Sequence, residues 1–140
     1  MVMEGKISHS AGKRRCAIAR TTIQPGKGVV KINGVNLEVF EPKAAREKIR
    51  VPLILASRNI DLKTIDVTSK SNGGGVIGTA DAIASSIARA LVEYSEDDSL
   101  LTTYVNYDRT LIAGDHRQKE TRKPSQSSKG ARHKRQKSYR

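Results

Sequence analysis

Core-forming residues vanish from the last third of this chain while cations accumulate, and that division decides how much of it can fold. Between Arg109 and Arg140 stand eleven Lys or Arg and two acids, Asp115 and Glu120, a net +9 out of +12 for all 140 residues. Beyond Ala113 the hydrophobic set shrinks to Ala131 and Tyr139. A segment so poor in apolar surface has little burial to set against the roughly 1–2 kcal/mol of entropy lost per ordered backbone residue. Alone it is expected to be disordered, and its spaced cations suit a partner made of phosphates. The expected organisation is therefore a globular domain over residues 1–108 and an extended basic tail over 109–140. The tail reads as an RNA- or DNA-contacting arm.

The body keeps fifteen basic and twelve acidic residues, a modest +3. Its lone Cys16 excludes an intrachain disulfide and a multi-Cys zinc module, and its place in an alternating apolar segment predicts a buried structural thiol. His9, His116 and His133 lack the spacing of a metal motif and are expected to face solvent or RNA. No apolar run approaches the roughly 20 residues that span a bilayer. The N-terminal residues have no signal-peptide pattern either. An intracellular, soluble protein without a membrane role is the expectation.

Enzyme chemistry finds no support. Ser8-His9-Ser10 has no orienting acid or oxyanion site. Asp97-Asp98 fit the start of a helix, and no carboxylate pair is placed for acid–base work. Neither Ala11-Gly12-Lys13 nor Gly73-Gly74-Gly75 has the spacing of a nucleotide loop, so no cofactor is expected. The three glycines could still offer backbone N–H groups to a phosphate at the start of the next helix. A packing turn is the competing reading.

Element patterns point to a mixed fold. Arg14 to Ile23 alternates as a strand with its Ala residues on the packing face. Pro25-Gly26 and Gly28 lead to Val29–Ile32, and the short connection predicts an antiparallel pair of these two strands. Asn33-Gly34 is a tight-turn pair, followed by alternating Val35, Leu37 and Val39. Pro42 suits a first helical turn. A short helix over Ala44–Ile49 follows, then another from Pro52 to Ala56, then a strand around Leu62, Ile65 and Val67. After the glycines comes the clearest helix, about Ile77–Tyr94. Ala80, Ile83, Ile87, Leu91 and Tyr94 form its stripe, widened by Ala84 and Ala88, with Ser86, Arg89 and Glu93 facing away. A further helix starts near Ser95–Asp98, and Leu111-Ile112 provides a last anchor before the arm.

The candidate binding residues are cations. On the body they are Lys13, Arg14, Arg15 and Arg20, followed by Lys27 and Lys31. Arg109 opens the arm, Arg117, Lys119, Arg122 and Lys123 form its first cluster, and Lys129, Arg132, Lys134, Arg135, Lys137 and Arg140 its second. Arg clamps phosphate oxygens or stacks on bases, and Lys supplies a flexible point charge. Tyr139 adds one potential stacking ring. Extended, the thirty-two residues from Arg109 to Arg140 would reach roughly 100 Å.

In order along the chain, Gly12-Lys13-Arg14-Arg15, Ala17-Ile18-Ala19-Arg20, Ile32-Asn33-Gly34, Gly73-Gly74-Gly75, Ile87-Ala88-Arg89-Ala90-Leu91 and the ending Gln136-Lys137-Ser138-Tyr139-Arg140 stand together. This set resembles the family of the ninth protein of the small ribosomal subunit, in its archaeal form, over nearly the whole chain. The resemblance implies an α/β (α+β) fold: a compact mixed sheet with helices on one side, similar to domain two of the fifth small-subunit ribosomal protein. It implies a cytoplasmic structural role in the subunit head, among neighbouring ribosomal proteins. Small-subunit rRNA would be bound by Lys13, Arg14, Arg15, Arg20, Arg109, Arg117, Lys119, Arg122, Lys123, Lys129, Arg132, Lys134 and Arg135. It further implies that the tail reaches the anticodon stem of peptidyl-site tRNA, with Arg140 as the final contact and Tyr139 and Lys137 supporting it. The family often continues its glycine motif with Gly-Gln, where this chain has Gly78-Thr79, so a contact specific to that Gln is not carried over. The alternative left by charge alone is a free-standing nucleic-acid chaperone or DNA-binding accessory protein, for which no helix-turn-helix or DNA-reading finger is legible.

Overall fold

In the computed structural model, which describes residues 5–122 and 130–132, alternation along the first strands gives one sheet two unlike faces. Strands β1 (Ser8–Arg14) and β2 (Ala17–Pro25) form an antiparallel hairpin that pairs Arg14 with Ala17 and Ser8 with Ile23. Ser8 and Gly12 of β1 and Ala17, Ala19, Thr21 and Ile23 of β2 are buried, whereas His9, Ala11, Lys13, Ile18 and Arg20 are exposed. The expected Ala face is thus the packed one. β1 lies mostly outside the expected elements, because Ser-His-Ser-Ala-Gly carries no apolar alternation. It becomes a strand through its ladder with β2 and the helix laid across it. Cys16 is exposed in the turn, not buried, because the chain reverses at Arg15, where φ is +52°, and does not run straight from Arg14 to Ile23.

The sheet has five strands in the order β1-β2-β5-β3-β4, with β3 at Val30–Ile32, β4 at Val35–Asn36 and β5 at Ile65–Asn72. The expected pairing of β2 with β3 does not form. β5 lies between them, antiparallel to β2 and parallel to β3. Its Ile65, Val67 and Ser69 are all buried, and this longer covered strand takes the central place that three-residue β3 cannot fill. The connection over residues 26–29 therefore crosses the start of β5, where Asp66 holds it. The Asp66 carboxylate accepts the N–H of Lys27 at 2.8 Å and of Val29 at 2.9 Å. Those bonds hold the carboxyl below its usual range. Asn33-Gly34 makes the expected tight turn, with both φ angles positive.

Helix α1 (Lys43–Ala56) is one helix where two short ones were expected. Ala45, Ile49, Pro52, Leu53 and Ala56 form a single buried stripe. Burial along that stripe outweighs the one backbone bond that Pro52 cannot donate. Helix α2 (Val76–Ser95) is packed between two layers. β1, β2 and β5 lie on one side of it, and α1, α3 (Asp98–Tyr107) and α4 (Thr110–Ala113) lie on the other. Burial on both sides explains why Ser86, expected to face away, is fully buried. Its hydroxyl lies 2.6 Å from that of Thr21, which donates to Ser69 at 3.1 Å. A buried hydroxyl row thus joins the helix to two strands with its polar groups satisfied. Tyr104 of α3 is fully buried and donates to the carbonyl of Pro52 at 2.7 Å. Burial raises that phenol above its ordinary range.

At Gly12 the backbone of α2 comes directly against that of the sheet. A Cβ there would stand 2.1 Å from the carbonyl oxygen of Ala82 and 2.7 Å from the N–H nitrogen of Ser86. Both are helix backbone and cannot turn aside. Gly12→Ala is therefore expected to destabilise the fold by about 1–3 kcal/mol or more. The check is urea unfolding, in which the midpoint should fall without a change in slope.

Candidate nucleic-acid interface

Among the described residues no helix covers the face of the sheet turned away from α2, and that face collects cations. Cross-strand register sets them in rows: Lys13 beside Ile18 and Asn72, Ala11 beside Arg20 and Lys70, His9 beside Thr22 and Thr68, with Lys31 of β3 continuing the last row. An open groove of about 680 Å³ runs across the first three strands here, lined by Ile18, Arg20, Thr68 and Lys70 among others. His9 Nδ1 and the Thr22 hydroxyl are 2.9 Å apart along it.

The hairpin tip is the second feature. Arg15 is exposed in the turn, and the glycine segment supports the turn from beneath. Gly73 and Gly74 have φ of +74° and +75°, and a Cβ on them would meet the Cys16 carbonyl oxygen at 2.7 Å and the Ala17 Cβ at 2.6 Å. Close approach and left-handed backbone both exclude a side chain. Packing thus accounts for these two glycines. Gly75, extended and with open space around it, caps α2. Thr79 closes the segment by donating to the Gly73 carbonyl at 3.1 Å, a local bond made by the residue that stands where the family often has Gln.

The third feature is the root of the arm. Leu111 of α4 is buried, and the Ser85 hydroxyl donates to its carbonyl at 3.0 Å. Arg89 of α2 donates to the carbonyls of Ile112 at 2.7 Å and Ala11 at 2.9 Å, tying α4 to β1. Arg14 reaches the Arg117 carbonyl at 3.2 Å and the Asp115 carboxylate at 3.3 Å, and Arg117 clasps the same carboxylate at 2.6 Å. The Arg117 fork and its N–H, with Arg14 behind them, hold the Asp115 carboxyl well below the usual carboxylate range. The chain therefore leaves the body from a fixed point beside the first hairpin.

The expected site residues distribute as follows. Lys13, Arg15, Arg20, Arg109, Arg117, Lys119, Arg122 and Arg132 are exposed, and Arg132 pairs with Glu120. Arg14 is largely covered and engaged with the arm root. Lys123, Lys129, Lys134, Arg135, Lys137, Tyr139 and Arg140 lie outside the described residues. The sequence reading missed Lys70, because it ended the strand near Val67. The polar alternation Asp66, Thr68, Lys70, Asn72 was the available signal. It also missed Arg89, which looked like a solvated helix position. Among the described residues no group of three or more His, Cys, Asp or Glu could hold a metal ion. No helix among them is long and apolar enough to cross a membrane.

A family model described as ribosomal protein S9/S16 matches residues 12–140. The small ribosomal subunit protein uS9 of Methanococcus maripaludis strain C7 is 45% identical over 135 residues, covering 96% of this chain and 99% of the relative. The protein of the same description from Methanothrix thermoacetophila matches at 45% over 135 residues with the same coverage.

The arm root should titrate with acid. A carboxyl whose folded value is depressed contributes stability above its unfolded value. That contribution is lost as pH falls through the folded value. For Asp115 the loss begins below its ordinary 3.8. Amide-exchange protection over residues 110–117 is expected to decline there, and Asp115→Asn to remove protection at neutral pH and flatten the pH dependence.

Proposed function

The chain belongs to the ribosomal protein S9/S16 family, and from that premise we propose that it is a structural constituent of the small ribosomal subunit that binds rRNA in the subunit head. The observation that carries this reading is a family match running through the basic arm to residue 140, in a chain whose terminal thirty-two residues hold net +9. The body, similar in this reading to domain two of the fifth small-subunit ribosomal protein, acts as a rigid docking piece among neighbouring head proteins in the cytoplasm. Lys13, Arg15 and Arg20 of the body and Arg109, Arg117, Lys119, Arg122 and Arg132 beyond it bind rRNA phosphates. Lys123, Lys129, Lys134 and Arg135 continue that series. Arg14 contributes by fixing the arm's root. The N–H groups around Gly73–Gly75 offer a backbone contact to phosphate at the start of α2.

The arm works by electrostatic positioning. A free polycation gains order as it exchanges counterions for rRNA phosphates, so its affinity is tied to salt. At its end Lys137, Tyr139 and Arg140 contact the anticodon-stem backbone of peptidyl-site tRNA, holding tRNA without any part in peptide-bond chemistry. The family role is structural, and the chain is not an enzyme.

Affinity for small-subunit rRNA is expected to fall by several orders of magnitude between roughly 50 and 200 mM salt; a flat titration would count against the mechanism. In assembled subunits with bound tRNA, a photoreactive residue replacing Arg140 is expected to crosslink to the anticodon stem. Arg140→Ala should weaken tRNA retention more than assembly. Crosslinks to rRNA alone would leave the scaffold role and remove the tRNA contact.

A further inference from the structure

We propose that the open face of the sheet is a separate RNA-binding surface, holding the sugar–phosphate backbone of a base-paired rRNA segment along a diagonal formed by Lys13, Arg20, Lys70 and Lys31. The proposal rests on the rRNA-binding reading above and adds to it a surface, two cations and a class of RNA. The diagonal follows from the register. Lys13 sits one row before Arg20 and Lys70, which face each other across β2 and β5, and Lys31 sits one row beyond them on β3. With strands about 4.8 Å apart and same-face residues about 6.8 Å apart, the stripe is about 20 Å long.

Its charge state sets this face apart from the helical side. There, cations meet acids of the chain: Lys6 with Glu96, Lys48 with Asp81, Arg50 with Glu38. None of the four diagonal cations forms an ion pair with a described residue. Asp66 is the one acid projecting from these strands on this side; its carboxylate is engaged chiefly by the N–H groups of Lys27 and Val29 and more weakly by the nearby charge of Lys31. Arg20 and Lys70 are moreover direct cross-strand neighbours, and like charges so placed destabilise a sheet. A polyanion laid over them relieves that repulsion.

The rest of the surface selects the kind of polyanion. No Phe, Tyr or Trp lies among the strand residues of this face, and its one aromatic ring, His9, is bonded to Thr22, so splayed single-stranded bases find little to stack on. Thr22, Thr68 and Asn72 supply hydroxyl and amide groups that suit phosphates and ribose 2′-hydroxyls, the groups a paired A-form helix displays. An acidic protein segment fits less well. An extended segment could add only along the outer edges of β1 or β4, beside this face and not across it, and among the described strand residues that line it Ile18 is the one large exposed apolar anchor.

The test titrates the full chain with a blunt RNA duplex of about two helical turns over a range of salt. It compares wild type with K31Q/K70Q and with the arm variant K119Q/R122Q. The sheet variant is expected to bind more weakly and to lower the salt slope by about 2, one for each phosphate contact removed. Its thermal midpoint should hold or rise, since Lys70 no longer faces Arg20; a fall would mean that Lys70 is a structural residue and would overturn the proposal. Unchanged affinity and slope in the sheet variant, with the arm variant weakened, would overturn this surface while leaving the rRNA reading intact; an acidic protein segment would then be the occupant to seek. Equal losses against unstructured oligouridine would overturn the base-paired assignment. If the wild-type chain binds neither the duplex nor small-subunit rRNA, the rRNA reading itself fails.

Discussion

The seat of α2 on β1 is the contact on which the rest of the molecule depends. Gly12 brings helix backbone against strand backbone, and the hydroxyl row of Thr21, Ser69 and Ser86 fixes the helix over the neighbouring strands. With α2 in that position, α1, α3 and α4 pack on its far side, and among the described residues no helix is left to cover the other face of the sheet. The same helix supplies Ser85 and Arg89 to the chain that leaves the body. One packing decision therefore exposes a sheet face and fixes where the arm begins.

Electrostatics follows from that layering. Several acids are committed to local clamps and not to the cations of the open sheet face. Asp66 holds the crossing loop. Asp97 accepts from Asn59 and Ser99, which keep its carboxyl below the usual range at the start of α3. Asp115 gathers Arg14 and Arg117 at the arm root. With these acids engaged, the body's modest +3 becomes a one-sided field, positive over the sheet face and first hairpin. Exposed ion pairs on the helical side contribute little stability, but they give Lys6, Lys48 and Arg50 acid partners within the chain. A body of this kind orients itself toward a polyanion before contact.

Elements with a strong period were legible from sequence. The stripe of Ala80, Ile83, Ile87, Leu91 and Tyr94 predicted α2 within a residue of its ends. The Asn33-Gly34 turn and the buried Ala face of β2 were equally readable. Most of what failed depended on partners far along the chain. β5 inserts between β2 and β3 because a longer buried strand outcompetes a short connection, and no local pattern states that. Pro52 continues a helix because tertiary burial overrides the local rule. Cys16 is exposed because Arg15 adopts a left-handed angle that branched or long side chains seldom take. At the site, the cations at Lys13, Arg15 and Arg20 were visible as a basic cluster. Arg14 and Arg89 could not be separated from solvated positions without knowing where residues 110–117 pack.

The central claim is that this is an rRNA-bound constituent of the small ribosomal subunit and not a free nucleic-acid-binding accessory. The most direct measurement is gradient sedimentation of lysate under nuclease-free conditions with subunits kept intact, following the chain with an antibody through repeated washing. The account predicts that the chain stays with small subunits in near-stoichiometric amount. Recovery chiefly with chromosomal DNA, or at the top of the gradient while other small-subunit proteins remain bound, would contradict it.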